Sequence, residues 1–491
     1  MKTERIIPFA LLISAALVSC QKENINSPTE PENLIQKTIT IADTPWTGDA
    51  ETRSFFEEGV GVHLNKLENM SVYYWKHVAN ETEPTANTNI LYTLLDGKNI
   101  TGATANTAGT WTFSHSVIEG ADSYNYFFVI PHTSMNALNS KKTGHSFRLA
   151  SIQSPEILNK FKGCESSSLS FDPMMDCHIG QAQYGVGIAT EMSDIHFKRI
   201  FTPLKLTITD SKNVLEGAPV YTVTLKSNAV ATQTQTLTGL CYFKHSNVFD
   251  EAKLSSIEKT SVGNGVSTIY QKPIAKDGDS YTTWFIVNPT KLPAGELTVS
   301  VTTATKTITR TISNSELNIK DNTINYLTFD ISGTEHKVEQ SDYYHFNLGN
   351  IKELANVTGS NTGTKPWTHT GCDVLKDAGN SQFNNALRIK TTKNKDNTTT
   401  VGVVTYTAIP NKSLKRIRFY GHPRATTGPV TINVKSGEAA IGSVALNYND
   451  ISQNGGYNDF EVPEAYSQSN LIFNVDKNPA IISAATLFFN E

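Results

Sequence analysis

Asp172, Asp176, Cys177 and His178 crowd one short segment with the oxygen, sulfur and nitrogen donors that a divalent metal takes. Their spacing matches no standard ligand set, so a loop with a buried cysteine is the simpler expectation, and neither a metal nor another cofactor is assigned. Lys412, Lys415, Arg416, Arg418, His422 and Arg424 make a basic run able to grip a sulfated or acidic glycan. On a strand whose inner positions are Ile417 and Phe419, the same residues are the outward ones, which accounts for them equally well. Sugar recognition asks for an exposed aromatic plane beside hydrogen-bonding side chains. Trp367, Tyr448, Asp450 and Tyr457 are candidates by type for contact with host or microbial glycans, with Asn449 and Asp459 nearby in sequence. Core aromatics and turn residues are the competing explanation for each of them.

Catalytic signatures are missing. The chain has no His-Glu-x-x-His, no Gly-x-Ser-x-Gly elbow and no phosphate-cradling Gly-x-x-x-x-Gly-Lys. A hydrolase would need paired carboxylates across a cleft, and the linear sequence offers no convincing pair. No enzyme activity and no catalytic residue is expected. Lys and Arg number 42 against 46 Asp and Glu, a formal net charge of −4, which points to neither nucleic acid nor a strongly anionic membrane.

The clearest covalent chemistry lies near the start. Lys2 and Arg5 precede an apolar run from Ile6 to Val18, and Leu17-Val18-Ser19-Cys20 sets a small residue directly before a cysteine. That is a secretory signal ending in a lipobox, which makes residues 1–19 a signal peptide and Cys20 the acylated mature N-terminus. No other segment approaches the roughly 20 apolar residues that a bilayer crossing requires. Residues 20–37, rich in Pro, Glu, Asn and Ser, suit a flexible tether. Gln21 is not the Asp that often holds bacterial lipoproteins at the inner membrane, so an outer-membrane, surface-exposed location is expected. Of the remaining cysteines, Cys164, Cys177, Cys241 and Cys372 are too dispersed for a metal knuckle. A Cys164 to Cys177 disulfide and scattered buried thiols both fit an oxidising compartment.

The elements that must carry these residues are strands. Leu204, Leu206 and Ile208 alternate with Lys205, Thr207 and Thr209; Tyr221, Val223 and Leu225 with Thr222, Thr224 and Lys226; and Leu297, Val299 and Val301 with Thr298, Ser300 and Thr302. Period two with one apolar face marks half-buried strands. Turn chemistry separates them, as in Asp277-Gly278-Asp279, Pro293-Ala294-Gly295 and Asn454-Gly455-Gly456. Helical signal is sparse, its best case being Ser154-Pro155-Glu156, an N-cap followed by Pro that would open a turn or two through Phe161.

Length allows about three domains of roughly 150 residues in an all-β chain. Ser123 to Pro131 and Ser280 to Pro289 are both aromatic-rich strands that a proline stops, an internal echo of two successive β-sandwiches. The boundaries expected are 38–192 and 193–333 for the two sandwiches, 334–342 for a charged linker, and 343–491 for a third sandwich. Leu387 with Ile389, Val430 with Ile432 and Val434, Val444 with Leu446, Leu471 with Phe473, and Leu487 with Phe489 read as strands of this third unit. A strand closing at the extreme C-terminus is typical of jelly-rolls.

Taken together, the lipobox at Cys20, the strand Lys37-Thr38-Ile39-Thr40-Ile41-Ala42, the segment Glu51-Thr52-Arg53-Ser54-Phe55, the two aromatic strands and Phe197-Lys198-Arg199 resemble the fimbrillin family, subunits of Bacteroidetes-type fimbriae. Lys22-Glu23 after the lipidated cysteine is also similar to the export signal of Bacteroidetes surface lipoproteins. The resemblance covers residues from about 20 to 333. It implies a lipoprotein precursor cut after an arginine of the first domain, loss of the first strand, and filling of the groove by a strand from another fimbrial subunit. Arg53 stands at the matching place, against the alternative of an ordinary loop arginine, and Thr38, Ile39, Thr40, Ile41 and Ala42 would form the displaced strand. The chain departs from a stalk subunit at its end, because Leu487 to Glu491 lie within a folded third domain and offer no free strand. A tip or minor subunit is expected; a surface glycan-binding lipoprotein that never polymerises is the alternative.

Overall fold

The computed structural model describes the strands named below between residues 34 and 157, most of residues 169–346 and most of 366–490. Among these residues there is no α-helix, and strands pack into sheets throughout, so the protein is an all-β, multi-unit chain.

The first strand, Leu34–Ile41, lies between two partners. It pairs antiparallel with Trp111–Ile118 and parallel with Glu191–Met192. A second sheet sets Ser123–Ile130 between His178–Gly185 and Met70–Lys76, with Leu91–Leu95 at one edge. Its other edge is Phe197–Arg199, which pairs with His178–Gly185. The segment expected to open the second sandwich therefore finishes the sheet of the first. The helix start expected at Ser154 is also corrected: Glu156–Ile157 pairs antiparallel with Leu169–Ser170, and tertiary pairing overrides the local capping signal.

Unit one runs on into unit two. Gly144–Leu149 pairs with Thr238–Lys244, and Ile152–Gln153 runs parallel to Val266–Ile274. The buried Gln153 amide grips both backbone groups of Ile286, donating to its carbonyl at 2.6 Å and accepting from its N–H at 2.8 Å. Phe127, Val129, Phe147, Cys177, Phe201, Cys241 and Trp284 share one apolar cluster across the same seam. Cys164 lies outside the described residues.

In unit two, Thr202–Thr209 sits between Ser280–Val287, antiparallel, and Asn325–Asp330, parallel. It faces a sheet in which Val220–Ser227 is flanked by Val266–Ile274 and Leu297–Thr302, followed by Lys306–Ile312. Leu204, Leu206 and Ile208 point inward against Val223, Leu225, Val299 and Val301, as alternation demands. The turns at Asp277 and Pro293 are present, with Gly278 and Gly295 at φ of 56° and 83°, where a side chain would be strained.

The charged stretch 334–342, expected as a linker, is mostly strand. Lys337–His345 pairs first with Lys306–Ile312 and then with the closing strand, Ala480–Phe489. Lys337 is exposed, whereas Glu339 and Asp342 are drawn into ion pairs with Arg416 and Lys412, so polarity there marks a paired junction strand and not a tether.

The third unit is a two-sheet sandwich. Trp367–Thr370, Val403–Tyr406, Leu471–Val475, Val430–Ser436 and Ala439–Leu446 form one sheet in that order. The other is built on Ala480–Phe489, with Leu414–Pro423 along one side, and Lys337–His345 followed by Ala386–Ile389 along the opposite side. Trp367, Phe419, Ile432, Phe473 and Leu487 fill the layer between them.

Candidate functional site

The acidic, cysteine and histidine segment resolves into a buried ion pair. Arg199 Nε and Nη2 donate to Asp176 Oδ1 and Oδ2 at 2.7 and 3.0 Å, and the adjacent His178 Nε2 lies 3.8 Å from Asp176. Burial pushes the His178 imidazole down to about 4, against the pull of the Asp176 charge, which keeps it neutral at physiological pH. Among the described residues no group of three or more His, Cys, Asp or Glu side chains could hold a metal. The cluster bolts the strand His178–Gly185 to the strand Phe197–Arg199.

The basic run is largely neutralised by acids that sequence proximity hides. Arg416 and Arg418 both bond Asp459, with Arg418 Nε at 2.8 Å from Oδ1 and Nη2 at 2.9 Å from Oδ2. Burial would raise the Asp459 carboxyl, but the Arg418 and Arg416 charges overcome it and hold it below the usual carboxylate range. Both guanidiniums also lie over the Phe488 ring, at 3.9 and 5.3 Å from its centroid. Lys412 Nζ bonds Asp342 at 2.7 Å and sits over Phe489. Lys415 is exposed, and Arg424 lies outside the described residues. Lys415, Arg416 and Arg418 lie on the strand Leu414–Pro423 and Lys412 just before it, and the acids Asp459, Glu339 and Asp342 pair with Arg416, Arg418 and Lys412.

Trp367 does not offer a plane to a sugar. It is 0% exposed, with rings of Phe346, Tyr406 and Phe473 at 5.5, 5.5 and 5.8 Å. A ring enclosed on all sides cannot stack on a ligand, so this candidate is a core residue. Tyr448 and Asp450 lie outside the described residues. Tyr457 begins the strand Tyr457–Glu461, opposite Tyr420.

Cys20, Arg53 and Ala42 are outside the described residues. Thr38, Ile39, Thr40 and Ile41 stand in register with Ser114, Phe113, Thr112 and Trp111, and Thr40 and Ile41 also with Glu191 and Met192. Taking this strand away would leave two strands with unpaired backbone groups along a shared groove. At the other end of the chain, Ala485 of the closing strand pairs with Tyr344 on one side and Phe419 on the other. The partners of that strand were not legible in the sequence.

No protein-family model and no curated protein matches the chain. Among solved structures it is similar to a candidate cell adhesion protein of Bacteroides ovatus, at 14% identity and a TM-score of 0.35, over 62% of this chain and 96% of the other. A candidate cell adhesion protein of Bacteroides uniformis gives 9% identity and a TM-score of 0.34 over 62% and 97%. A fimbrial assembly protein of Parabacteroides distasonis gives 9% and 0.24 over 56% and 97%. At these values the likeness carries no argument about function.

Proposed function

We propose that the chain is a structural and adhesive component of a bacterial fimbrium, a tip or minor subunit that reaches the cell surface on a lipid at Cys20. Cleavage after Arg53 releases Thr38, Ile39, Thr40, Ile41 and Ala42, and a strand from another fimbrial subunit enters the vacated groove. The observation that carries this is the placement of Leu34–Ile41, whose first four residues replace the end of the tether expected over 20–37 and which is paired along its whole length with Trp111–Ile118. A strand held by a backbone ladder can be replaced by another with matching alternation. The strand Ala480–Phe489, flanked on both sides in its own sheet, is not free to be donated.

The test is treatment of the purified protein with an arginine-specific protease, followed by addition of a peptide with donor-type alternation. The expected result is one cut after Arg53 and stable peptide uptake, both lost in Arg53→Ala. Resistance to cleavage together with binding of polysaccharide would overturn the proposal in favour of a non-polymerising, glycan-binding surface lipoprotein.

A further inference from the structure

We propose that the second and third units form one rigid body, splinted by the strand Lys337–His345, which fixes the orientation of the third unit. This holds whether or not the first strand is exchanged. The strand changes partners halfway along. Lys337, Val338, Glu339 and Gln340 pair with Lys306–Ile312, and Ser341 to His345 pair with Ala480–Phe489 on the opposite edge. The exchange leaves no unpaired gap, because the Ser341 and Tyr343 N–H groups still donate to the Thr305 and Ala304 carbonyls at 3.0 and 3.3 Å. A single sheet therefore runs from unit two into unit three.

Side chains lock the same junction. The Tyr343 ring stacks on Tyr221 of unit two at 5.6 Å and meets Tyr420 of unit three edge-on at 6.1 Å. All three are 3% exposed or less. The Ser341 hydroxyl is 2.9 Å from that of Thr307, and Glu339 and Asp342 reach Arg416 and Lys412 across the seam. A hinge here would have to break ladder bonds and expose three tyrosines together, whereas a flexible linker is polar and unpaired. Inter-domain motion is the default only where the interface is small, and this one includes a shared sheet.

The test places spin labels, as non-canonical amino acids in the full chain, at Tyr326 of unit two and Glu438 of unit three. Tyr326 is 65% exposed, and Glu438 lies in an exposed turn. Glu438 with Glu464, both exposed in unit three, is the control pair. The cross-unit distance distribution is expected to be single and as narrow as the control. Insertion of Gly-Gly-Ser between Gln340 and Ser341 should spread it by about 10 Å, the reach of three flexible residues, and leave the control narrow. A broad cross-unit distribution in the natural chain would overturn the proposal. So would one that stays narrow after the insertion, since the coupling would then lie outside this strand.

Discussion

Arg199 and Asp176 meet in the interior as a two-pronged ion pair, with side chains 2% and 0% exposed. Asp176 lies two residues before the strand His178–Gly185, and Arg199 ends its edge partner, Phe197–Arg199, directly opposite His178 in the ladder. Arg199 also lies 5.9 Å from the centre of the Phe171 ring, and His178 Nε2 lies 3.8 Å from Asp176.

Removing one partner should therefore cost far more than removing both. Asp176→Asn takes the two-pronged carboxylate charge away from a buried guanidinium and is expected to lose about 3–5 kcal/mol. Asp176→Leu combined with Arg199→Met should recover most of that. Urea denaturation of the single and double variants checks it, and additive losses would show that the pair does not act as a unit.

Stability should fall between pH 6.5 and about 4 because of His178. Its imidazole is pushed from 6.5 down to about 4 in the folded protein, mainly by burial. As pH falls through this window the unfolded chain takes up the proton while the folded one does not, so the neutral-pH stability is progressively lost. The expected loss is about 3 kcal/mol. Asp330, held at about 2, and Asp459, held below its ordinary 3.8, act at lower pH. Thermal melts of the natural chain and His178→Gln across pH 7.5 to 4 separate the contribution; parallel curves for the two proteins would refute it.

Trp367→Ala should cost about 3–5 kcal/mol and leave any polysaccharide binding unchanged, because the indole fills a core layer and touches no solvent. Trp367→Phe should be nearly neutral. It shrinks the ring but also removes the buried Nε1–H, which has no hydrogen-bond partner. Chemical denaturation and a glycan-array comparison of both variants give the two readouts.

What could be read in advance follows from periodicity. Leu204, Leu206 and Ile208, or Val430, Ile432 and Val434, reveal strands because one face is buried and the other is not. The stretch around Glu339 misled because its acids are taken up by Arg416 and Lys412 from far along the chain and Val338 is itself 38% exposed, so alternation is weak there. The outward positions of Arg416 and Arg418 were legible from Ile417 and Phe419, but Asp459 was not matched to them, since antiparallel register joins residues forty apart. Aromatic type says nothing of which way a ring faces, and Trp367 fell on the inner face.

Gly421→Ala should loosen the closing strand. Gly421 stands where the pairing of Leu414–Pro423 with Ala480–Phe489 shifts register, and an added Cβ would run into the Ile481 carbonyl oxygen. Backbone occupies that space and no side-chain rotation relieves the clash, so about 1–3 kcal/mol of strain is expected. Gly437→Ala is the control. Its Cβ would meet nothing, but its φ of 57° disfavours a side chain, so it should lose about 1 kcal/mol without touching the closing strand. Hydrogen exchange at the Ile481 and Ile482 amides distinguishes them: faster in Gly421→Ala and unchanged in Gly437→Ala. Unchanged exchange in Gly421→Ala would mean that the closing strand yields elsewhere. The close approach at Gly421 would then not be what seats it between its neighbours.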